Sequence, residues 1–557
     1  MENSTVDEFG SRRSTVRAPN GAVATSQPLA AQAGLRTLRD GGNAFDAAVA
    51  TAAVLNVVEP TSTGLGGDVF MLYRDADGEV GAMRACGPAP EGATRERVRE
   101  AVAGEQGVDP AEATMPETGP HAVTVPGTAR GWEATVREFG RRSLADVLEP
   151  AIGYATDGYP VTEVVADQWR HGEALFDAEH AREAFLVGGE RAPEPGEIVR
   201  LENLGESLRA IAAEGADVVY EGHIAEAIAE EVQAAGGFLT VDDLADFEAE
   251  FPDPVSTTYG DATVYELPPN NQGLIALEAL NVAEAAGARD HEPGSAARVH
   301  YLAEAMKRAF HDGHRYITDP EFEEVPPLGS KEWARERAAG VGSEAADVSF
   351  GVPGAGAEDS AGRGPTDPRD PNVPEDADTV LLCAADDEGN VVSYINSRFA
   401  GFGSGLVASD TGIALQNRGA SFSLADDHPN RLEPGKRPFH TLIPGVLERA
   451  PDDWSAFGVM GGYMQPQGHL QALVGMLDDG FSLQAALDQP RWRYREDGRL
   501  AVEARMPAAV QNGLRRRGHD IEVLLPGMFG GAQVVRNRDG ALSGATEPRK
   551  DGTVAAW

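Results

Sequence analysis

The first clear pattern of apolar and polar positions lies between residues 21 and 60, in GAVATSQPLAAQAGLRTLRDGGNAFDAAVATAAVLNVVEP. It predicts a strand, a helix ended by Gly41-Gly42, and a second helix that opens at Asn43 and runs toward Val58. The second helix is apolar nearly all round and is expected to be buried. Two alternating runs follow, Val69 to Arg74 and Glu79 to Arg84, and read as a hairpin around Asp75-Ala76-Asp77-Gly78. Residues 143–321 have mostly helical spacing, clearest at 211–237 and 297–320. In the second piece His300, Glu304, Lys307, His311 and Asp312 recur near i, i+4, i+7. A metal site needs a tighter pattern, so this stripe reads as a solvated helix face. At residues 351–378 Gly, Pro and Asp replace nearly all large apolar residues, which predicts an exposed, mobile linker. Directly beyond it TVLLCAADDEGNVVSYINS reads as two strands joined by a turn at 386–390, with Thr379 at the head of the first.

Composition narrows the function. With 557 residues, 41% apolar, the chain can bury a large core as one α/β unit or as two to three domains. Asp plus Glu number 89 against 47 Lys plus Arg, a net charge of -42, which disfavours nucleic acid and anionic membranes as partners. Lysine occurs only at 307, 331, 436 and 550. This acidic, lysine-poor style suggests a salt-in halophile, and an archaeal one, with weak folding at low salt; the plainer alternative is an acidic protein of a GC-rich genome. The 2 cysteines, Cys86 and Cys383, make neither a disulfide framework nor a thiolate metal site and read as small buried residues. No apolar stretch follows Arg12-Arg13 as a signal segment would, and no run of eighteen apolar residues occurs, so a soluble, cytoplasmic protein is expected.

Two segments carry candidate chemistry. Gly64-Leu65-Gly66-Gly67 has the look of a phosphate loop, but a strand follows it and no Lys-Ser/Thr completes the motif. Thr379 is the other. A threonine hydroxyl needs an adjacent base, and its own α-amino group becomes one once the peptide bond to Asp378 is cut. The same hydroxyl can attack the Asp378 carbonyl first, so one nucleophile would serve both self-cleavage and turnover. On strand propensity alone, though, a threonine opening a strand is ordinarily structural.

The chain resembles the gamma-glutamyltransferase family over almost its whole length. The motifs that carry the resemblance are GGNAFDAAVA (41–50), VVEPTSTGLGGDVF (57–70), VPGTARGW (125–132), EAMKRAFHDGHRYITDP (304–320), DTVLLCAADDEGNVVSY (378–394), GFGSG (401–405), GKRPFHTLIPGV (435–446) and GVMGGYMQPQGHLQ (458–471). The resemblance implies an α+β fold, the four-layer αββα sandwich of N-terminal nucleophile hydrolases. It further implies a precursor cut between Asp378 and Thr379 into a large subunit, 1–378, and a small catalytic subunit, 379–557. Such heterodimers could pair into a homodimer. Gly461 and Gly462 stand where the family places its oxyanion donors, and Ser397 where a second hydroxyl steadies the nucleophile.

The substrate pocket matches less well. Alignment on Ala89 to Thr94 puts Cys86 where the family grips the α-carboxylate with arginine, with Arg84 two residues away on the same strand face. Ser421 falls at an aspartate position, Arg418 at a glutamine, and His440 and Thr441 at a serine pair. His440 reads either as a donor to an acyl carboxylate or as a packed histidine. The resemblance therefore points to the divergent acylase-like branch. It implies transfer of gamma-glutamyl groups from thiols or amides to water or an amine, with an acylase for glutaryl or other N-acyl amides, or an unprocessed non-catalytic homologue, as alternatives. The expected partner is a small acyl amide, with no cofactor and no metal.

Overall fold

The strand Val380–Asp386 sets the layering. In the computed structural model, which describes residues 13–353 and 379–557, its side chains alternate between two apolar clusters. Val380, Leu382 and Ala384 pack with the helices Pro28–Arg39 and Ala44–Val58, while Leu381, Cys383 and Ala385 pack with Val446, Ala456 and Val535 of a second sheet. A strand apolar on both faces has to lie inside a stack, between a helical layer and another sheet. Asp378 and residues 354–378 of the expected linker lie outside the described residues.

The first sheet has six strands in the order Thr553–Ala556, Gly21–Thr25, Val380–Asp386, Val391–Ser397, Asp68–Arg74 and Val80–Ala85. The second has seven, ordered Val16–Ala18, Ala541–Thr546, Gly531–Arg538, Asp453–Met460, Gly445–Ala450, Ala262–Glu266 and Val255–Tyr259. Its outer face is covered by the helices Gly273–Ala285, Ala296–Tyr316 and Met464–Leu477. The result is the expected αββα sandwich. The sheets approach closely where Gly458 meets Leu381, since a Cβ on Gly458 would lie 2.8 Å from a Leu381 methyl.

The two N-terminal helices form as the apolar pattern predicts. Asn43 caps the second, its Oδ1 accepting from the Phe45 and Asp46 N–H groups at 3.0 and 3.1 Å, while Asp46 Oδ2 accepts from the Asn43 N–H at 2.9 Å. Every residue of Ala44–Val58 is buried.

Two expectations are corrected. The helical middle third also contains the hairpin Val255–Tyr259 and Ala262–Glu266, the edge of the seven-stranded sheet. And the helix face bearing His300, Glu304, Lys307 and Asp312 is buried, not solvated. Its charges are paired inside the protein: Lys307 Nζ lies 2.7 Å and Arg308 Nη1 3.0 Å from the two Glu304 carboxylate oxygens. Cys86 and Cys383 are free thiols in the interior. Among the described residues no helix is long and apolar enough to cross a membrane.

Candidate active site

Thr379 stands at the head of its strand and is 3% exposed. The neighbouring strand pairs Asn396 with Val380, so Ser397, one step on, is brought level with Thr379. The Thr379 hydroxyl donates to Ser397 Oγ at 3.3 Å, and Ser397 Oγ also accepts from the Phe399 N–H at 2.8 Å. To present that N–H, Phe399 adopts φ of 87°, a left-handed conformation that costs a bulky residue about 1–3 kcal/mol and that clusters at functional sites.

On its other side Ser397 pairs with Asp68, which ends the glycine-rich loop 61–68. That loop carries no phosphate-binding helix; it delivers a fully buried carboxylate. Asp68 Oδ1 accepts from Gln416 Nε2 at 3.0 Å and from the Gly127 N–H at 3.2 Å, and Oδ2 lies 3.0 Å from His440 Nε2. Burial pushes the Asp68 carboxyl up to about 7, against the pull of Arg418 and of these hydrogen bonds. The Leu442 N–H donates to His440 Nδ1 at 3.2 Å, so the ring proton sits on Nε2 and is donated to Asp68. Burial, followed by the charges of Arg418 and Arg84, holds the His440 pKa well below its ordinary value, and the imidazole is neutral. His440 is thus engaged within the protein.

The remaining pocket residues take different parts. Arg418 is fully buried, donates from Nη1 to Thr441 Oγ1 at 2.9 Å, and stacks 4.2 Å above the Phe399 ring. Burial lowers its pKa to about 10, which leaves it charged at neutral pH. Ser421 Oγ lies 2.7 Å from the Arg418 carbonyl and 2.8 Å from that of Phe439, a tie within the short turn Arg418–Ser421. Arg84 is turned elsewhere: Nε donates to Glu250 at 3.0 Å, Nη1 to the Pro269 carbonyl at 2.8 Å and to Asn270 Oδ1 at 3.2 Å, and Nη2 also meets Glu250. Arg437 meets the same Glu250 from its other side, so this carboxylate is held between two arginines.

Gly461 and Gly462 form the turn between the strand Asp453–Met460 and the helix Met464–Leu477. Their φ values of 109° and 53° suit glycine, and a Cβ on Gly461 would come within 3.1 Å of the Gly530 backbone. Gln272 ties this turn to the pocket, since its Nε2 donates to the Gly462 carbonyl at 3.0 Å and to the Thr441 carbonyl at 2.7 Å. Gln272, Gln416, Asp68 and Phe399 escape sequence reasoning as site residues. Asp68 was nonetheless within reach, as the charged residue of the motif VVEPTSTGLGGDVF that stands directly before the apolar run from Val69.

One group of side chains has the composition of a metal site. His300, Glu304 and His519 are buried with potential ligand atoms within 4.8 Å of one another. No spacing along the chain predicts this, because His519 arrives from a distant segment. The group is closed by hydrogen bonds. His300 Nε2 donates to the Gly342 carbonyl at 2.9 Å, His300 Nδ1 therefore accepts from His519 Nε2 at 2.8 Å, and Glu304 is engaged by Lys307 and Arg308. Two cations on the carboxylate oppose a third.

Residues 30–557 match the family model described as Gamma-glutamyltranspeptidase. The chain is 37% identical to the Glutathione hydrolase-like YwrD proenzyme of Bacillus subtilis, over 96% of this chain and 97% of that one. It is 36% identical to the Oxamate amidohydrolase proenzyme of Klebsiella pneumoniae, over 97% and 98% respectively. The crystal structure of cephalosporin acylase from Bacillus halodurans superimposes with a TM-score of 0.88 at 41% identity, covering 100% of this chain and 99% of that one. The chain is a member of the gamma-glutamyltranspeptidase family of N-terminal nucleophile hydrolases.

Proposed function

We propose that the chain is a proenzyme that cuts itself between Asp378 and Thr379, and that the small subunit, 379–557, is an amidohydrolase whose nucleophile is its own first residue. The observation that carries this reading is the Thr379 hydroxyl held on Ser397 at the head of a buried strand. Relatives named as proenzymes support it. Once freed, the α-amine of Thr379, with an ordinary pKa of about 7.7–8.0, takes the hydroxyl proton as the oxygen attacks an amide carbonyl. The Gly461 and Gly462 amides donate to the oxyanion, a contribution of about 3 kcal/mol per donor in comparable sites. The amine product leaves with the proton, an ester on Thr379 remains, and water repeats the sequence to release the acid.

Two acyl donors fit the family: gamma-glutamyl thiols or amides, and amides of dicarboxylic acids such as glutaryl compounds. The second is favoured by Arg84, which is engaged by Glu250, and by Ser421, which offers no charge to a substrate ammonium group. The oxamate-acting and cephalosporin-acylase relatives agree with an acyl donor other than gamma-glutamyl. The test is Thr379→Ala. It is expected to leave a folded, full-length chain with no release of nitroaniline from acyl anilides, read by gel and absorbance; cleavage or turnover at the wild-type rate in this variant refutes the assignment.

A further inference from the structure

The glycine turn and Thr379 lie at the same end of the sandwich. The strand Asp453–Met460 begins with the Arg74 guanidinium 5.5 Å over the Trp454 ring, and Arg74 pairs with Val391, itself paired with Ala385. Next the Phe457 carbonyl accepts from Ser393 Oγ at 2.8 Å, at the level of Cys383, and Gly458 then faces Leu381. The strand thus advances toward Thr379, and Gly461 follows three residues on. The Gly461 carbonyl accepts from the Met464 N–H at 2.8 Å, inside the start of the helix. A trans peptide points its N–H away from its C=O, so the Gly462 N–H is directed out of the helix. Neither the Gly461 nor the Gly462 N–H makes a hydrogen bond among the described residues. Two free donors therefore stand in the facing sheet at the nucleophile's end. Gln272, 0% exposed, fastens them. Its Nε2 holds the Gly462 carbonyl at 3.0 Å and the Thr441 carbonyl at 2.7 Å, two donors supplied without charge. Its main-chain N–H donates to the His440 carbonyl at 3.0 Å, and the His440 N–H to the Asn270 carbonyl at 2.9 Å. His440 in turn donates to Asp68, whose strand neighbour Ser397 accepts from the Thr379 hydroxyl. A path from the glycine turn to the nucleophile thus runs through the Gln272 amide.

We infer that Gln272 is a positioning residue for the reaction: by holding the Gly462 carbonyl on the segment that carries His440 and Thr441, it sets the Gly461 and Gly462 N–H groups relative to the Thr379 hydroxyl. This rests on the reading of Thr379 as the nucleophile and of the glycine amides as its oxyanion donors. Such donors act only while their support keeps them in place, since a displacement of about 1 Å costs on the order of 100-fold in rate. The Gln272 donors are engaged by main-chain carbonyls, so the loss of Gln272 falls on kcat and leaves KM in place.

The probe is p-nitrophenyl acetate, whose small acetyl group makes little demand on the acyl pocket. Nitrophenol release is read by absorbance, acetylation of the small subunit by mass, and Thr379→Ala supplies the background. Wild type, Gln272→Met and Gln272→Glu are compared per mole of small subunit, after self-cleavage is measured on a denaturing gel. Gln272→Met keeps the length of the side chain and loses both donors. Its kcat is expected to fall on the order of 10–100-fold, with KM within about twofold of wild type. Gln272→Glu sets an acceptor against two carbonyls while ionised and donates to one of them again once protonated. The ratio of its kcat to that of wild type is therefore expected to rise as the pH falls from 8 to 5, a comparison from which the titration of the Thr379 amine cancels. A methionine variant within about twofold of wild type in kcat, a loss confined to KM, or a glutamate ratio independent of pH would each overturn this inference and leave the self-cleaving reading in place. Should Gln272→Met fail to fold or to be cut, the glutamate variant decides, and a glutamate variant that stays uncut at pH 5 overturns the inference as well. A cut wild type whose Thr379 is never acetylated defeats the reading of the nucleophile instead, and a wild-type chain that is never cut defeats both.

Discussion

At the residue scale, the site is a set of buried polar groups linked by hydrogen bonds around Thr379, and Asp68 is the one whose charge depends on pH near neutrality. Its carboxyl is raised to about 7 because burial disfavours the ion. A carboxyl whose folded pKa exceeds its unfolded value of about 3.9 burdens the folded state while ionised. That burden is full above pH 7, is relieved as the pH falls toward about 4, and is absent in Asp68→Asn. The melting temperature of Asp68→Asn minus that of the wild type is therefore expected to shift in favour of the wild type between pH 8 and pH 5. A difference independent of pH would mean that Asp68 does not titrate in this range. Thr379 and the glycine pair were singled out from the resemblance carried by their local motifs, and the structure places Thr379 at the head of a buried strand and the glycines in a turn. Arg418 and Thr441 were placed in the pocket, but the engagement of Arg84 by Glu250 was not, since it depends on a residue 166 positions away.

At the scale of elements, the strands and helices that build the site could be read where burial imposes a simple pattern. Ala44–Val58 is apolar all round and Val380–Asp386 apolar on both faces, and each lies in the core as that pattern requires. The helix Ala296–Tyr316 defeated the same reasoning, because Glu304, Lys307 and Arg308 at i, i+3 and i+4 look alike whether the charges face water or neutralise one another inside the protein. The short hairpin Val255–Tyr259 and Ala262–Glu266 was hidden between long helical segments; its alternation is plain only once a sheet edge awaits it. The two sheets come together at Gly458 and Leu381, and the absence of a side chain at Gly458 permits that approach. Gly458→Val would force Leu381 aside and overpack the interface, a cost of about 1–3 kcal/mol. A lower melting temperature and slower self-cleavage are expected together, and an unchanged melting temperature would show that the sheets have room to spare.

At the scale of the whole molecule, 89 acidic residues against 47 basic ones give the chain a net charge of -42, a self-repulsion that added salt screens. The fold holds Thr379 buried at the head of a core strand, and the proposed activity requires the chain to be cut immediately before it. The direct measurement is to express the protein in molar salt, separate it under denaturing conditions and sequence the N-terminus of the smaller fragment. The account predicts two bands, the smaller beginning Thr379-Val380-Leu381; a single full-length band that persists for days in molar salt would contradict it.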